Sequence, residues 1–354
     1  MAQDESILKA VSNIRRQLDE AEQVTVTIAL FGQPGSGKSS LVNKLVGQPL
    51  AAVGVATDQT SRAQSYEYNG VHLVDLPGFD TTRFPKETFW ESFKMDSFDL
   101  FLCVFSEKLG SAEVEFFSHL QKHGRTCLFV RNKRDDIWDT AKSVEELEKE
   151  IREDVSRLVK AQVKVYFTSC RDDYGLDALS EAIAGHLPEA KQERWIEAAK
   201  AYSRRFLEAK LALCKKKVRL NAGLSAANAV NPVPGMDVAV DVSILLSLFR
   251  SIKKAYGLND KALLTSREFQ VPALAQLANN LIKNATRAGV IKLLGRVAGR
   301  ELTKSTSKYI PLVGQALAAS IGYGITLQAG NAYLADCHEL AQAVMERELL
   351  RRHC

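Results

Sequence analysis

The chain has no pair of cysteines spaced as C-x-x-C. Its six cysteines, Cys103, Cys127, Cys170, Cys214, Cys337 and Cys354, are scattered, so no zinc site is expected. Cys103 and Cys127 fall in apolar, strand-like runs and read as small core residues. The pattern fits a reducing cytosol. Cys354 follows Arg351-Arg352-His353 and does not form the four-residue prenylation box. Met1-Ala2-Gln3-Asp4-Glu5 lacks the apolar core of a signal peptide, and position 2 is not glycine. Neither secretion nor N-myristoylation is therefore expected, and a cytoplasmic location is. No internal repeat appears, and no strand signal follows Lys191.

What is present suggests about two domains from 354 residues. A hydrophobic fraction of 46% suffices for proper cores. The net charge of +5 hides an asymmetry. From Ala190 onward there are 25 Lys and Arg against 12 Asp and Glu, leaving 22 against 30 in the first 189 residues. A basic second half suits an acidic partner, or is a solvated helical surface.

Apolar period changes along the chain. Residues 6–22 carry Ile7, Leu8, Val11, Ile14 and Leu18 at helical spacing. Val24–Phe31 is β-branched and reads as a strand, followed by a glycine-rich loop and a helix over Lys38–Val46. Strands are expected at His72–Asp75, Leu100–Phe105, Cys127–Val130 and Val163–Phe167, and helices at Val144–Leu158 and Leu176–Gly185. Leu100–Phe105 is apolar throughout, as in a buried parallel sheet. Alternating strands and helices predict an α/β domain over 23–188. An all-α domain should follow over 189–354, interrupted at Asn231-Pro232-Val233-Pro234-Gly235. The helix of residues 1–22 has no place in such a sheet and is expected to join the helical domain.

Gly32-Gln33-Pro34-Gly35-Ser36-Gly37-Lys38-Ser39 lies between a strand and a helix, the context a P-loop requires. Glycines let the backbone curl so that its N–H groups face phosphate, with Pro34, Gly35, Ser36, Gly37, Lys38, Ser39 and Ser40 as the nucleotide-binding residues. Lys38 supplies a point charge between the β- and γ-phosphates, and the Ser39 hydroxyl suits Mg²⁺. Asp75-Leu76-Pro77-Gly78 closes an apolar strand. There Asp75 would hold Mg²⁺ through water and the Gly78 N–H would meet the γ-phosphate. Asn132-Lys133-Arg134-Asp135 selects guanine: a carboxylate accepts from the ring N–H and the exocyclic amine together, and adenine lacks that pair. Asn132 would take O6 or N7, and Lys133 would cover the ring. Thr168-Ser169-Cys170 fits a loop whose backbone N–H, from Ser169 or Cys170, contacts the guanine carbonyl. Thr60 or Thr57 would complete the Mg²⁺ shell, with Thr60 preferred because it lies nearer the next strand. The site residues thus point to a Mg²⁺-dependent GTPase.

One side chain is missing. Many GTPases carry a glutamine just after D-x-x-G to orient the attacking water. Phe79 stands there. Hydrolysis is then slow or needs a group from elsewhere, and dimerisation across the nucleotide face would bring one.

Gly35-Ser-Gly-Lys-Ser-Ser40, the Asp-Leu-Pro-Gly, Phe98–Phe105, Phe129–Asp135, Phe167-Thr-Ser-Cys170 and Ile310-Pro-Leu-Val-Gly314 resemble the immunity-related GTPases. The resemblance covers most of the chain. It implies a GTPase domain flanked by helices from both termini, nucleotide-dependent dimerisation, kinship with dynamin-like proteins and association with intracellular membranes. Asn132 departs from it, since threonine often stands there in the family.

In the helical half, Lys292, Arg296, Arg300, Lys304 and Lys308 recur every fourth residue, with Leu293, Leu294, Val297 and Leu302 between. Such a stripe suits an anionic membrane surface or solvent. Tyr309–Ala335 holds no charge, but Pro311, Gln315 and Asn331 make it a poor membrane span. Gly314, Ala318, Gly322, Thr326 and Gly330 instead allow close helix packing. The sequence therefore reads as a membrane-associated GTPase that dimerises, with a slow switch acting through a protein partner as the alternative. Aromatic platforms for single-stranded nucleic acid are lacking, so no nucleic-acid partner is expected.

Overall fold

The computed structural model describes residues 2–52, 63–79, 85–228, 236–258, 272–293 and 311–352. Thr57, Thr60, Asn231–Gly235, Arg296–Lys308 and Cys354 lie outside them. The chain divides into two compact units: residues 24–202, and residues 1–23 together with 203–354.

The first unit is a six-stranded sheet with strand order β2-β3-β1-β4-β5-β6. Its strands are β1 (Val26–Phe31), β2 (Gln64–Tyr68), β3 (Val71–Asp75), β4 (Leu100–Phe105), β5 (Cys127–Arg131) and β6 (Val165–Phe167). All pairs are parallel except β2 with β3. The helices are α2 (Lys38–Val46), α3 (Lys86–Ser92), α4 (Ser111–Lys122), α5 (Val144–Val159), α6 (Leu176–Gly185) and α7 (Glu189–Ala198). β1 and β4 are central and covered on both faces, so every residue of β4 is buried. Continuous apolar runs follow from that placement.

The sequence pattern predicts neither β2 nor α4. β2 reads Gln-Ser-Tyr-Glu-Tyr and is half exposed, as suits an edge strand. It turns into β3 through Asn69-Gly70, both at positive φ, the residue pair a two-residue hairpin favours.

The unit also runs past Pro188, where the sequence pattern suggested its end. α7 packs on β1 and β3. Arg194 Nε donates to the Val24 carbonyl at 3.0 Å, and Lys191 pairs with Asp99. Buried Trp195 donates to the Ser180 carbonyl at 3.0 Å. The Lys200 N–H then reaches the Leu45 carbonyl, and the Tyr202 hydroxyl the Lys44 carbonyl. Residues 189–202 are thus strapped onto the sheet.

The second unit is helical: α1 (Ala2–Gln23), α8 (Arg204–Asn228), α9 (Met236–Ala255), α10 (Pro272–Asn284) and α11 (Pro311–Arg352) among the described residues. α8, α9 and α11 share one core that includes Val218, Leu245, Phe249, Tyr333 and Leu340. α1 packs on α8. Gly330 and Thr326 of the small-residue spacing lie where α11 meets α8. A Cβ on Gly330 would come within 2.7 Å of a Val218 methyl, and Thr326 donates to Ser225 at 2.9 Å. Among the described residues no helix is long and apolar enough to cross a membrane.

Candidate nucleotide-binding site

β1 ends in the sheet centre and releases residues 32–37 at its carboxyl edge. Gly32 has φ 136°, and a Cβ there would sit 1.9 Å from the Val104 carbonyl oxygen on β4. Only glycine lets the loop leave so close to a neighbouring strand. Gly35 and Gly37 also have positive φ. Gly37 caps α2 without any side-chain hydrogen bond, and no acid stands in the first turn. The first amides of α2, including those of Lys38, Ser39 and Ser40, therefore have no intrahelical partner and present the positive end of the helix dipole. Pro34 has no N–H and is exposed, so it shapes the loop rather than donating.

Lys38 is only 9% exposed. Its Nζ donates to the carbonyls of Gly32 at 2.9 Å and Gln33 at 3.1 Å. Asp75, at the end of β3, lies 3.9 Å away. That separation is long for a buried pair. Burial lowers the Lys38 pKa, with the carboxylates of Asp75 and Glu113 opposing. Burial likewise lifts the Asp75 carboxyl to about 6, with Lys38 opposing. In both groups desolvation outweighs attraction, so the pair is incomplete as it stands. Asp75 Oδ1 and Ser36 Oγ are buried without any hydrogen-bond partner. Such orphaned atoms cost about 1–3 kcal/mol each and suit a site built to receive a cation and phosphate.

Beyond Asp75, the Leu76 N–H holds the Leu30 carbonyl at 2.8 Å, and Gly78 is exposed. Phe79 turns inward. Its ring lies 4.9 Å from that of Phe116, 5.2 Å from Phe89 and 5.6 Å from His119. It is 9% exposed, a core residue rather than a site residue.

β5 delivers the guanine-reading segment. Asn132 is 1% exposed, and both ends of its amide are engaged within the protein. Its Nδ2 donates to the Ser36 carbonyl at 2.8 Å. Its Oδ1 accepts from Thr168 at 3.1 Å and from the Cys170 thiol at 3.6 Å. The sequence suggested a base-reading role. The structure adds a second: Asn132 ties the phosphate loop to both base loops, with one hydrogen of Nδ2 still unassigned. Lys133 adopts the left-handed conformation, φ 57°. Arg134 lies 3.9 Å over the Tyr174 ring and bonds Glu148 at 2.6 Å, which fixes the turn. Asp135 is mostly buried and pairs with the exposed Arg171 at 2.9 Å. The pattern of residue types gave no warning of that pairing.

The Ser169 N–H is engaged by the Tyr174 carbonyl at 3.0 Å, which removes Ser169 as a backbone donor. The neighbouring Cys170 N–H remains. Burial pushes the Cys170 thiol up to about 11, so it is a neutral donor to Asn132 rather than a nucleophile. Lys38, Ser39, Asp75, Asn132, Asp135 and Cys170 thus all stand on the phosphate loop, the end of β3 or the loops that follow β5 and β6. Thr60 and Thr57 fall outside the described residues.

A family model described as Interferon-inducible GTPase (IIGP) matches residues 1–281. The chain is similar to Interferon-inducible GTPase 5 of Rattus norvegicus, with 24% identity across 97% of this chain and 80% of that protein. It is also similar to Interferon-gamma-inducible GTPase 10 of Mus musculus, with 25% identity across 74% of this chain and 67% of that protein. Among solved structures, a probable GTP-binding protein engB aligns with 18% identity, 46% of this chain and 98% of that chain. The TM-score of that alignment is 0.35. The family model's reach over the α/β unit and much of the helical unit is what decides identity: the chain belongs to the interferon-inducible, or immunity-related, GTPases, and it is a GTP-hydrolysing enzyme.

Proposed function

We propose that this GTPase completes its catalytic site by pairing with a second copy across the nucleotide face, and that its basic helical unit holds it on anionic membrane. The observation that carries the reading is Phe79. Its ring is enclosed by Phe89, Phe116 and His119, so the position after D-x-x-G offers nothing to orient water. A second molecule can supply hydrogen-bond donors and exclude bulk solvent.

In this reading the Lys38 ammonium lies between the β- and γ-phosphates, and the amides of Gly35 to Ser40 surround the β-phosphate. The Ser39 hydroxyl would hold Mg²⁺ directly and Asp75, whose Oδ1 lacks a hydrogen-bond partner, through water, with Thr60, or Thr57, completing the set. Mg²⁺, when bound, neutralises charge on the phosphate oxygens. The Gly78 N–H meets the γ-phosphate. Asp135 and the Cys170 N–H read guanine, while Lys133 covers the ring. Water oxygen adds to the γ-phosphorus as its bond to the bridging oxygen breaks, giving GDP and phosphate.

Turnover per molecule tests the pairing, measured from nanomolar to tens of micromolar protein. It should rise with concentration as dimers form. A flat rate excludes pairing and leaves a slow switch that acts through another protein. The excess of Lys and Arg after Ala190 supports the membrane reading. Co-sedimentation with anionic vesicles, with and without GTP, checks it. No sedimentation in either state removes the membrane role.

A further inference from the structure

A second concave site lies outside the nucleotide site, between the carboxyl ends of β4 and β5 and helix α5. It is an open cleft of about 740 Å³, within the size range of small-molecule pockets. Phe105, Leu109, Leu147, Ile151 and Val155 give it apolar walls. Arg131 lines it as well, 8% exposed and the last residue of β5.

Arg131 is unusual for a buried cation. Its guanidinium carries five N–H donors, yet it makes one hydrogen bond, to the Asn132 carbonyl. Among the described residues no carboxylate lies within ion-pair distance of it. Glu107 and Asp136 act on it only through space, and burial works against its charge. Its remaining donors are open to the cavity rather than held by protein acceptors, and the planar fork matches a carboxylate in two-point contact.

The opening is charged differently. Glu107, Glu150, Glu153 and Asp154 line the cavity, against Lys108 and Arg157. A ligand with several negative charges, such as a polyphosphate, meets repulsion there. A single negative charge on an apolar body meets less of it: the body fills the walls while the charge reaches Arg131.

We propose that this cavity binds an organic monocarboxylate with an apolar body, its carboxylate seated on Arg131. The site is coupled to nucleotide binding. Arg131 holds the Asn132 carbonyl, and the Phe105 carbonyl accepts the Asn132 N–H at 2.8 Å. Asn132 in turn grips the phosphate loop through Ser36. An occupant that draws Arg131 toward itself therefore acts on the residue that joins the nucleotide loops.

The test uses the full-length, GDP-loaded protein with 4-phenylbutyrate as probe and 4-phenylbutyramide as its neutral match. Binding is read by calorimetry or ligand-observed NMR. The acid should bind saturably and at least tenfold more tightly than the amide. Arg131→Met should bring the acid down to the level of the amide. Ile151→Trp, which fills the cavity wall and leaves Arg131 in place, should abolish both and provides the test if the Arg131 variant fails to fold. Inorganic phosphate should not displace the acid. Equal binding of acid and amide overturns the proposal, as does acid binding that survives Ile151→Trp or yields to phosphate. Release of a fluorescent GDP analogue, with and without the acid, then reads the coupling. An unchanged release rate at saturating acid removes the coupling and leaves a binding site alone.

Discussion

Lys210 in the helical unit and Asp75 in the α/β unit are both charged side chains with almost no exposure. Lys210 is provided for: its Nζ donates to the Ala255 carbonyl at the end of α9, at 2.6 Å. Ser225 and Thr326, buried in the same unit, bond each other. Asp75 has one carboxylate oxygen with no hydrogen-bond partner, and Ser36 nearby has a bare hydroxyl. Ser180, under α7, is a buried hydroxyl of the α/β unit without a hydrogen-bond partner that stands away from the phosphate loop. The helical unit uses buried polarity to complete its packing. The α/β unit leaves polarity incomplete where a ligand enters, and so gives up stability for binding.

That contrast can be broken in order of effect. Lys38→Ala should lower GTP affinity by about 1,000-fold, or roughly 4 kcal/mol, by titration with a fluorescent GTP analogue. Unchanged affinity would show that the phosphate loop is assigned wrongly. Asp75→Asn should act in two directions. Turnover should fall, because a cation ligand is lost. The nucleotide-free protein should become more stable at pH 7.5, by up to about 3 kcal/mol. The sign follows from the raised pKa of Asp75, about 6 against 3.8. Its protonated form is favoured in the fold, so stability is full below about 3.8 and is lost as pH rises through about 6. The gain from Asp75→Asn should therefore disappear between pH 6 and 4 in thermal melts.

In the helical unit the same kind of change only harms. Gly330→Leu forces a side chain into Val218 and Leu248 and should destabilise by about 1–3 kcal/mol. GTP affinity should stay level. Smallest is Arg171→Ala, which removes an exposed partner from Asp135. Exposed pairs contribute about 0–1 kcal/mol, so GDP affinity should change by no more than about fivefold. A change of tenfold or more would mean that Arg171 touches the base or competes with it.

Much of the α/β unit was legible because its signals are local. β4 is an unbroken apolar run, β1 and β5 are nearly so, and the nucleotide motifs stand at the ends of β1, β3 and β5. β2 escaped because an edge strand of polar and aromatic residues has no apolar face to betray it, although Asn69-Gly70 marked its turn. The boundary at Pro188 failed for the opposite reason. The bond between Arg194 and Val24 joins residues 170 apart, and no window along the chain contains both. Asn132 was legible only in part. Its position was legible, but which partners its amide takes depends on Ser36, Thr168 and Cys170 meeting in space. The small-residue spacing of α11 was legible as a packing signal, and Ser225 and Val218 on α8 supply its partner.

The burial of Phe79 has a mechanical consequence. It fixes the chain one residue beyond Gly78, so the segment that would answer the γ-phosphate is a short lever, Leu76 to Gly78, clamped at both ends. The near end is the Leu76 bond to Leu30. The far end is a ring wedged against Phe89 of α3 and Phe116 of α4. A rigid core transmits small displacements because it cannot absorb them. Any pull on Gly78 is therefore handed first to α3 and α4, which makes those two helices the unit's output shaft.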